Sequence, residues 1–142
     1  YKDVYSYDSG KWFFYGIVSN SAGTYSGSTT KSYCTVTVNK AEPPSGYSLY
    51  TVHGSGDVTL RGVGSMCSVG VRPNEKGYTN ITIYCVQPDG STRTYDMGKY
   101  DTGTFSFDSI GTYTFYAKIT NDYGDYSGSS TSDCLRITIT EG

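Results

Sequence analysis

The chain has 142 residues, 36% of them apolar and 17% charged, with a formal net charge of −2. A near-neutral balance without a basic stripe argues against a nucleic-acid partner, 16 tyrosines and five phenylalanines argue against disorder, and no apolar run is long enough for a membrane-spanning helix. Glycine, serine, threonine and tyrosine dominate while alanine and leucine are scarce, which disfavours helices and predicts an all-β chain of short strands and tight turns.

In chain order, the first element is "DSGKWFFYGIVSNSAG", residues 8 to 23. Trp12, Phe14, Gly16 and Val18 alternate with outward residues, which predicts a strand, and "SNSAG" predicts a turn. Only seven residues precede this segment, so its expected partner strands lie elsewhere. "KAEPP" (40 to 44) follows as a stiff, extended stretch, and residues 42 to 45 are read as a linker. Beyond it, "YSLYTVHG" and "DVTLRGVG" read as leading strands, then "CSVGVR" and "NITIYCV", then the tight turn "QPDGS". "STRTYDM", "GTFSFDS", "GTYTFYAKIT" and "DCLRITIT" complete a set of seven or eight strands. Within the strongest, Tyr113, Phe115, Ala117 and Ile119 share the face expected to be core.

The chain also repeats itself. Residues 10 to 39 lie over residues 111 to 140 without a gap, at an offset of 101, with eleven of thirty positions identical, including Phe14/Phe115, Asn20/Asn121, Gly23/Gly124 and a shared "YSGS". Upstream, "YSYDS" (5 to 9) matches "FSFDS" (105 to 109) with one residue inserted. The second copy has a domain's length in front of it and the first does not. The expected organisation is therefore residues 46–142 as a complete module and residues 1–41 as the terminal strands of a partial one.

"DSGKWFF" at 8 to 14 resembles the D-x-G-x-Y-x-C signature of immunoglobulin domains, with Trp12 in the tyrosine-corner place and Phe14 in the cysteine place. Together with "VSNSAG" and "ITNDYG", the chain is similar to bacterial immunoglobulin-like modules, among which PKD-type and three-tyrosine sandwiches are relatives. The resemblance covers the last strands of both copies, and the offset matches the ~100 residues of such a sandwich. It implies an antiparallel immunoglobulin-like β-sandwich in tandem, the first copy incomplete, and an extracellular or cell-surface role as spacer, stalk or adhesion module. It also implies neighbouring modules as partners. The alternative is a carbohydrate-binding module on a secreted glycan-active enzyme.

Little in the sequence points to chemistry. His53 is the only histidine, no serine or cysteine pairs with it by a known spacing, and no glycine-rich phosphate loop is present, so neither catalysis nor a cofactor is expected. Asn121, Asp122 and Asp125 gather oxygen ligands in one turn that could hold calcium; the first copy has "NSAGTYS" there, without carboxylates. "NIT" at 80 to 82 is a glycosylation sequon inside an expected core strand. Tyr95, Tyr100, Tyr116, Tyr123 and Tyr126 fall in outward phases or loops and are the candidate ligand-contacting residues for a glycan or a surface protein. Cys34, Cys67, Cys85 and Cys134 form no C-x-x-C motif. Cys67 shares its phase with Val63, Val69 and Val71, and Cys85 with Ile81 and Ile83. A buried 67–85 disulfide and two buried thiols both fit. Residues 1–41, lacking upstream strands, are expected to leave an apolar face and open strand edges that self-associate or dock on a neighbouring chain.

Overall fold

A computed structural model describes residues 9–38 and 42–142, and the chain divides into two units, residues 1–41 and Glu42–Gly142. Asp8 of the signature motif, most of "YSYDS" and Lys40–Ala41 of "KAEPP" lie outside the described residues. All regular structure among the described residues is strand, as the composition predicts.

In the first unit, β1 (Gly10–Tyr15) pairs antiparallel with β4 (Tyr33–Val38), and β2 (Ile17–Asn20) pairs antiparallel with β3 (Gly23–Ser26). The second unit holds nine strands: β5 (Tyr47–Thr51), β6 (Val58–Arg61), β7 (Met66–Pro73), β8 (Asn80–Val86), β9 (Thr92–Gly98), β10 (Thr102–Ser106), β11 (Gly111–Asn121), β12 (Gly124–Ser127) and β13 (Leu135–Thr140). One sheet has the order β10-β7-β5; the other has the order β6-β13-β11-β8-β9, with β12 beside β11. The pairing is antiparallel except between β6 and β13, which run parallel. The leading strand thus changes sheets. A turn closed by reciprocal Thr51–Gly54 backbone bonds of 2.8 and 3.1 Å ends β5, and Asp57 accepts the Arg136 N–H at 2.9 Å to seat β6 beside β13.

Period-two alternation places the core between the sheets. Leu49, Val69, Val71 and Phe105 project from the smaller sheet. Ile81, Ile83, Cys85, Tyr113, Phe115, Ala117, Ile119, Ile137 and Ile139 meet them from the larger one, and all are buried. Each large side chain contributes about 1.5–3 kcal/mol by leaving water. The Tyr113 hydroxyl accepts the Ser109 N–H at 3.2 Å, bonding back to backbone four residues upstream in the manner of a tyrosine corner. Tyr113 stands 101 residues after Trp12.

The strongest strand changes partner midway. Gly111–Phe115 of β11 pairs with β13, whereas Lys118–Asn121 pairs with β12. Between the two, the Ala117 carbonyl accepts the Gly128 N–H at 2.9 Å, and the fully buried Ala117 N–H has no strand partner on that side. It donates instead to the Tyr47 hydroxyl at 2.9 Å, which itself donates to the Asp133 carbonyl at 2.7 Å. Tyr47 belongs to the opposite sheet, so one phenol ties the two together. Gly128 is required beside it, because a Cβ there would collide with the Tyr47 hydroxyl.

The sequence repeat is also a repeat of register. Trp12↔Val36 corresponds to Tyr113↔Ile137, and Asn20↔Gly23 to Asn121↔Gly124, each at the offset of 101. Ser32 and Asp133, equivalent positions, both adopt left-handed backbone with φ of 52° and 56°. Gly27 N–H bonds to the Gly16 carbonyl at 2.9 Å just as Gly128 does to Ala117.

Three sequence expectations change. The strand β12 adds a ninth element, because four residues after a tight turn carry too little alternation to be seen. Val63 is exposed rather than in phase with Cys67, since it lies in the turn before β7 begins at Met66. Residues 42 to 45, read as a linker, are bonded to the second unit: the Glu42 carbonyl accepts from Asn121 Nδ2 at 3.0 Å, Pro44 is buried, and Ser45 bonds to the Glu75 carboxylate.

Tyr47→Phe strands the Ala117 N–H and should lower unfolding free energy by about 1–3 kcal/mol in urea titrations of the whole chain. Gly128→Ala should cost at least as much, with Tyr47 displaced.

Candidate functional site

A cavity of about 20 Å³ lies at one end of the core, lined by Cys85, Arg93, Tyr95, Phe105, Asp108 and Tyr113 among others, and has room for a single water. His53 is exposed in the turn after β5, its own N–H donating to Thr51 Oγ1.

The candidate tyrosines separate into two groups. Tyr95 pairs with the inward-facing Ile83, so it points toward the core and meets Phe105 edge-on at 5.0 Å, contrary to its expected outward phase. Tyr126 is also half-buried, edge-on to Tyr47 at 5.9 Å, with its hydroxyl donating to the Asp133 carboxylate. Tyr116 stacks on Tyr84 across the β8–β11 pair, ring centroids 4.9 Å apart, which accounts for it as a cross-strand contact. Only Tyr100 and Tyr123 stand free of the core, 78% and 61% exposed. Both turns lie at the same end of the larger sheet, because Gly98 pairs with Ile81 and Thr120 with Asn80.

The Asn121–Asp125 turn is held by its own polar groups. The Asn121 Oδ1 accepts the Tyr123 N–H at 2.8 Å, its Nδ2 donates to the Glu42 carbonyl, and Asp125 accepts from Thr120 Oγ1 at 2.7 Å. Asn20 caps the first-unit turn in the same way, accepting from Ala22 N–H at 2.8 Å and Gly23 N–H at 3.1 Å. A turn that keeps this bonding without carboxylates identifies the asparagine as a backbone cap. Among the described residues no group of three or more His, Cys, Asp or Glu could hold a metal ion.

Cys67 and Cys85 are both buried, on opposite sheets, and neither is bridged; Cys34 is exposed and Cys134 half-buried. Burial pushes the Cys67 thiol up, and the Cys85 thiol from 9.0 to about 11, so neither is a thiolate near neutral pH. Desolvation likewise raises Tyr47 from 10.0 to about 12.

No family model matches the chain, and no curated protein does. Among solved structures, an engineered protein is similar over 68% of this chain and 21% of its own length, at 17% identity and a TM-score of 0.48. The PKD domain of the human VPS10 domain-containing receptor SorCS2 aligns over 75% of this chain and 82% of its own, at 16% identity and a TM-score of 0.48. The PKD domain of an M14-like peptidase from a Thermoplasmatales archaeon aligns over 70% and 98%, at 20% identity and a TM-score of 0.45. The fold assignment itself rests on the two packed sheets described above.

Sequence reasoning missed Tyr47, whose role depends on a contact 70 residues away with Ala117. Because its neutral form is the one the fold holds, Tyr47 contributes stability that is complete below pH 10 and is lost as pH rises toward 12. The urea midpoint should therefore fall across that window, and Tyr47→Phe should fall less steeply; parallel curves would contradict this role.

Proposed function

We propose that this chain is a non-catalytic immunoglobulin-like module of a larger extracellular protein, serving as a spacer or stalk and, through repetition, setting reach. The observation that carries this reading is the second appearance of one strand unit, register for register, in a chain whose polar side chains are spent on turns and caps. Eleven residues of β11 span roughly 37 Å, the reach one such module adds along its long axis.

Removing residues 42–142 from the full chain should shorten its maximum dimension in solution scattering by roughly that length, while the activities of flanking domains persist. Loss of a catalytic activity with the module would overturn the proposal.

A second reading, glycan binding, has one observation in its favour: Tyr100 and Tyr123 are exposed at one end of the sheet. It predicts polysaccharide retention that Tyr100→Ala with Tyr123→Ala abolishes without a change in unfolding midpoint. A glycan array without hits would remove it.

A further inference from the structure

Period-two alternation gives the smaller sheet of the second unit an outer face. With Leu49, Val69, Val71 and Phe105 turned inward, Tyr50, Gly70 and Arg72 point outward. Tyr50 and Gly70 are register partners on β5 and β7, and a Cβ on Gly70 would collide with Cε1, Cζ and the hydroxyl of Tyr50. The phenol therefore leans across β7 and lies over the glycine instead of standing up from the sheet. Glycine inside a strand ordinarily weakens it; here the bare backbone is what seats the ring. The exposed Arg72 lies over that ring, its guanidinium carbon 4.8 Å from the centroid. A guanidinium stacked by its flat side keeps a fork of N–H donors open at its edge, the geometry that takes a carboxylate through two parallel bonds.

No carboxylate of the protein takes it. Among the described residues the one ion pair is Arg136 with Asp57; Glu75 accepts from the Ser45 N–H at 3.2 Å and Asp101 from Thr102 Oγ1 at 3.2 Å. The remaining outward positions of the face are Ser48, Met66, Ser68, Thr102, Thr104 and Ser106, all uncharged. Ser48 is the register partner of Arg72 and Thr102 that of Gly70, so a hydroxyl able to donate and accept stands on either side of the pair. We propose that the Tyr50–Arg72 face binds an acidic polysaccharide, with a uronate ring against the phenol, its carboxylate on the Arg72 fork and its hydroxyls on Ser48 and Thr102. A peptide ligand is disfavoured because β7 lies between β5 and β10, so its backbone is already paired and offers no edge for strand addition. This surface is separate from Tyr100 and Tyr123, which stand at the end of the larger sheet.

The test is native affinity electrophoresis of the whole chain at physiological ionic strength, in gels containing polygalacturonate, alginate or hyaluronan. At least one polymer should retard the protein, and converting its carboxylates to methyl esters should abolish the effect. Arg72→Gln should weaken retention about tenfold or more with the urea midpoint unchanged. Arg72→Lys, which keeps the charge and loses the fork, should also weaken it, and serves alone if the glutamine variant is less stable. No retardation by any of the three polymers overturns the proposal, as does retardation that survives esterification or the Arg72 variants. Equal retardation by polyglutamate overturns it in favour of an acidic peptide. Tyr100→Ala with Tyr123→Ala should leave retention intact; its loss there also overturns the assignment, in favour of the end of the larger sheet. The spacer reading is judged separately, by scattering.

Discussion

A buried backbone donor that no strand can satisfy governs how the second unit closes. β11 serves two partners in turn, and the exchange leaves the Ala117 N–H inside the core. An unpaired amide there would cost about 1–3 kcal/mol. The Tyr47 phenol removes that cost and, because it also reaches the Asp133 carbonyl, fixes the distance between the two sheets at one corner. Two other residues answer to this contact: Gly128 must lack a side chain, and Tyr126 packs on the ring. The raised phenol pKa is the electrostatic trace of the same burial.

What could be read from the sequence was whatever is periodic or local. The inward set Tyr113, Phe115, Ala117 and Ile119 follows from a period of two, and every member is buried. The internal repeat is visible as identities, and the structure reproduces it as register. Contacts between distant segments were not legible: Tyr47 with Ala117, the parallel seating of β6, and the attachment of Glu42 to Asn121 all join residues more than 60 positions apart. Tyr95 was misplaced for a related reason, since its phase is set by pairing with Ile83 and not by its own neighbours.

The candidate site residues were chosen by chemistry, and most turn out to be occupied by the fold itself. Asn121 caps a turn, Asp125 accepts from Thr120, Tyr126 is anchored to Asp133, and the two core cysteines pack as small hydrophobes. The same residue types would suit a ligand site if they converged. Here Asn121, Asp125 and Tyr126 are matched to nearby backbone or side-chain groups, while Tyr100 and Tyr123 stay exposed.

In the proposed stalk role, the parallel β6–β13 pair has a mechanical consequence. Tension along a stalk would draw β6 by its leading end and β13 by its trailing end, and in a parallel pair these lie at opposite ends of the shared ladder. The load then falls in shear on the four registered pairs from Ile137↔Val58 to Thr140↔Arg61 together. A hairpin pulled from its open end unzips one bond at a time; this arrangement must yield all at once, so one of the sheet's two shortest pairings becomes a clamp under stretch.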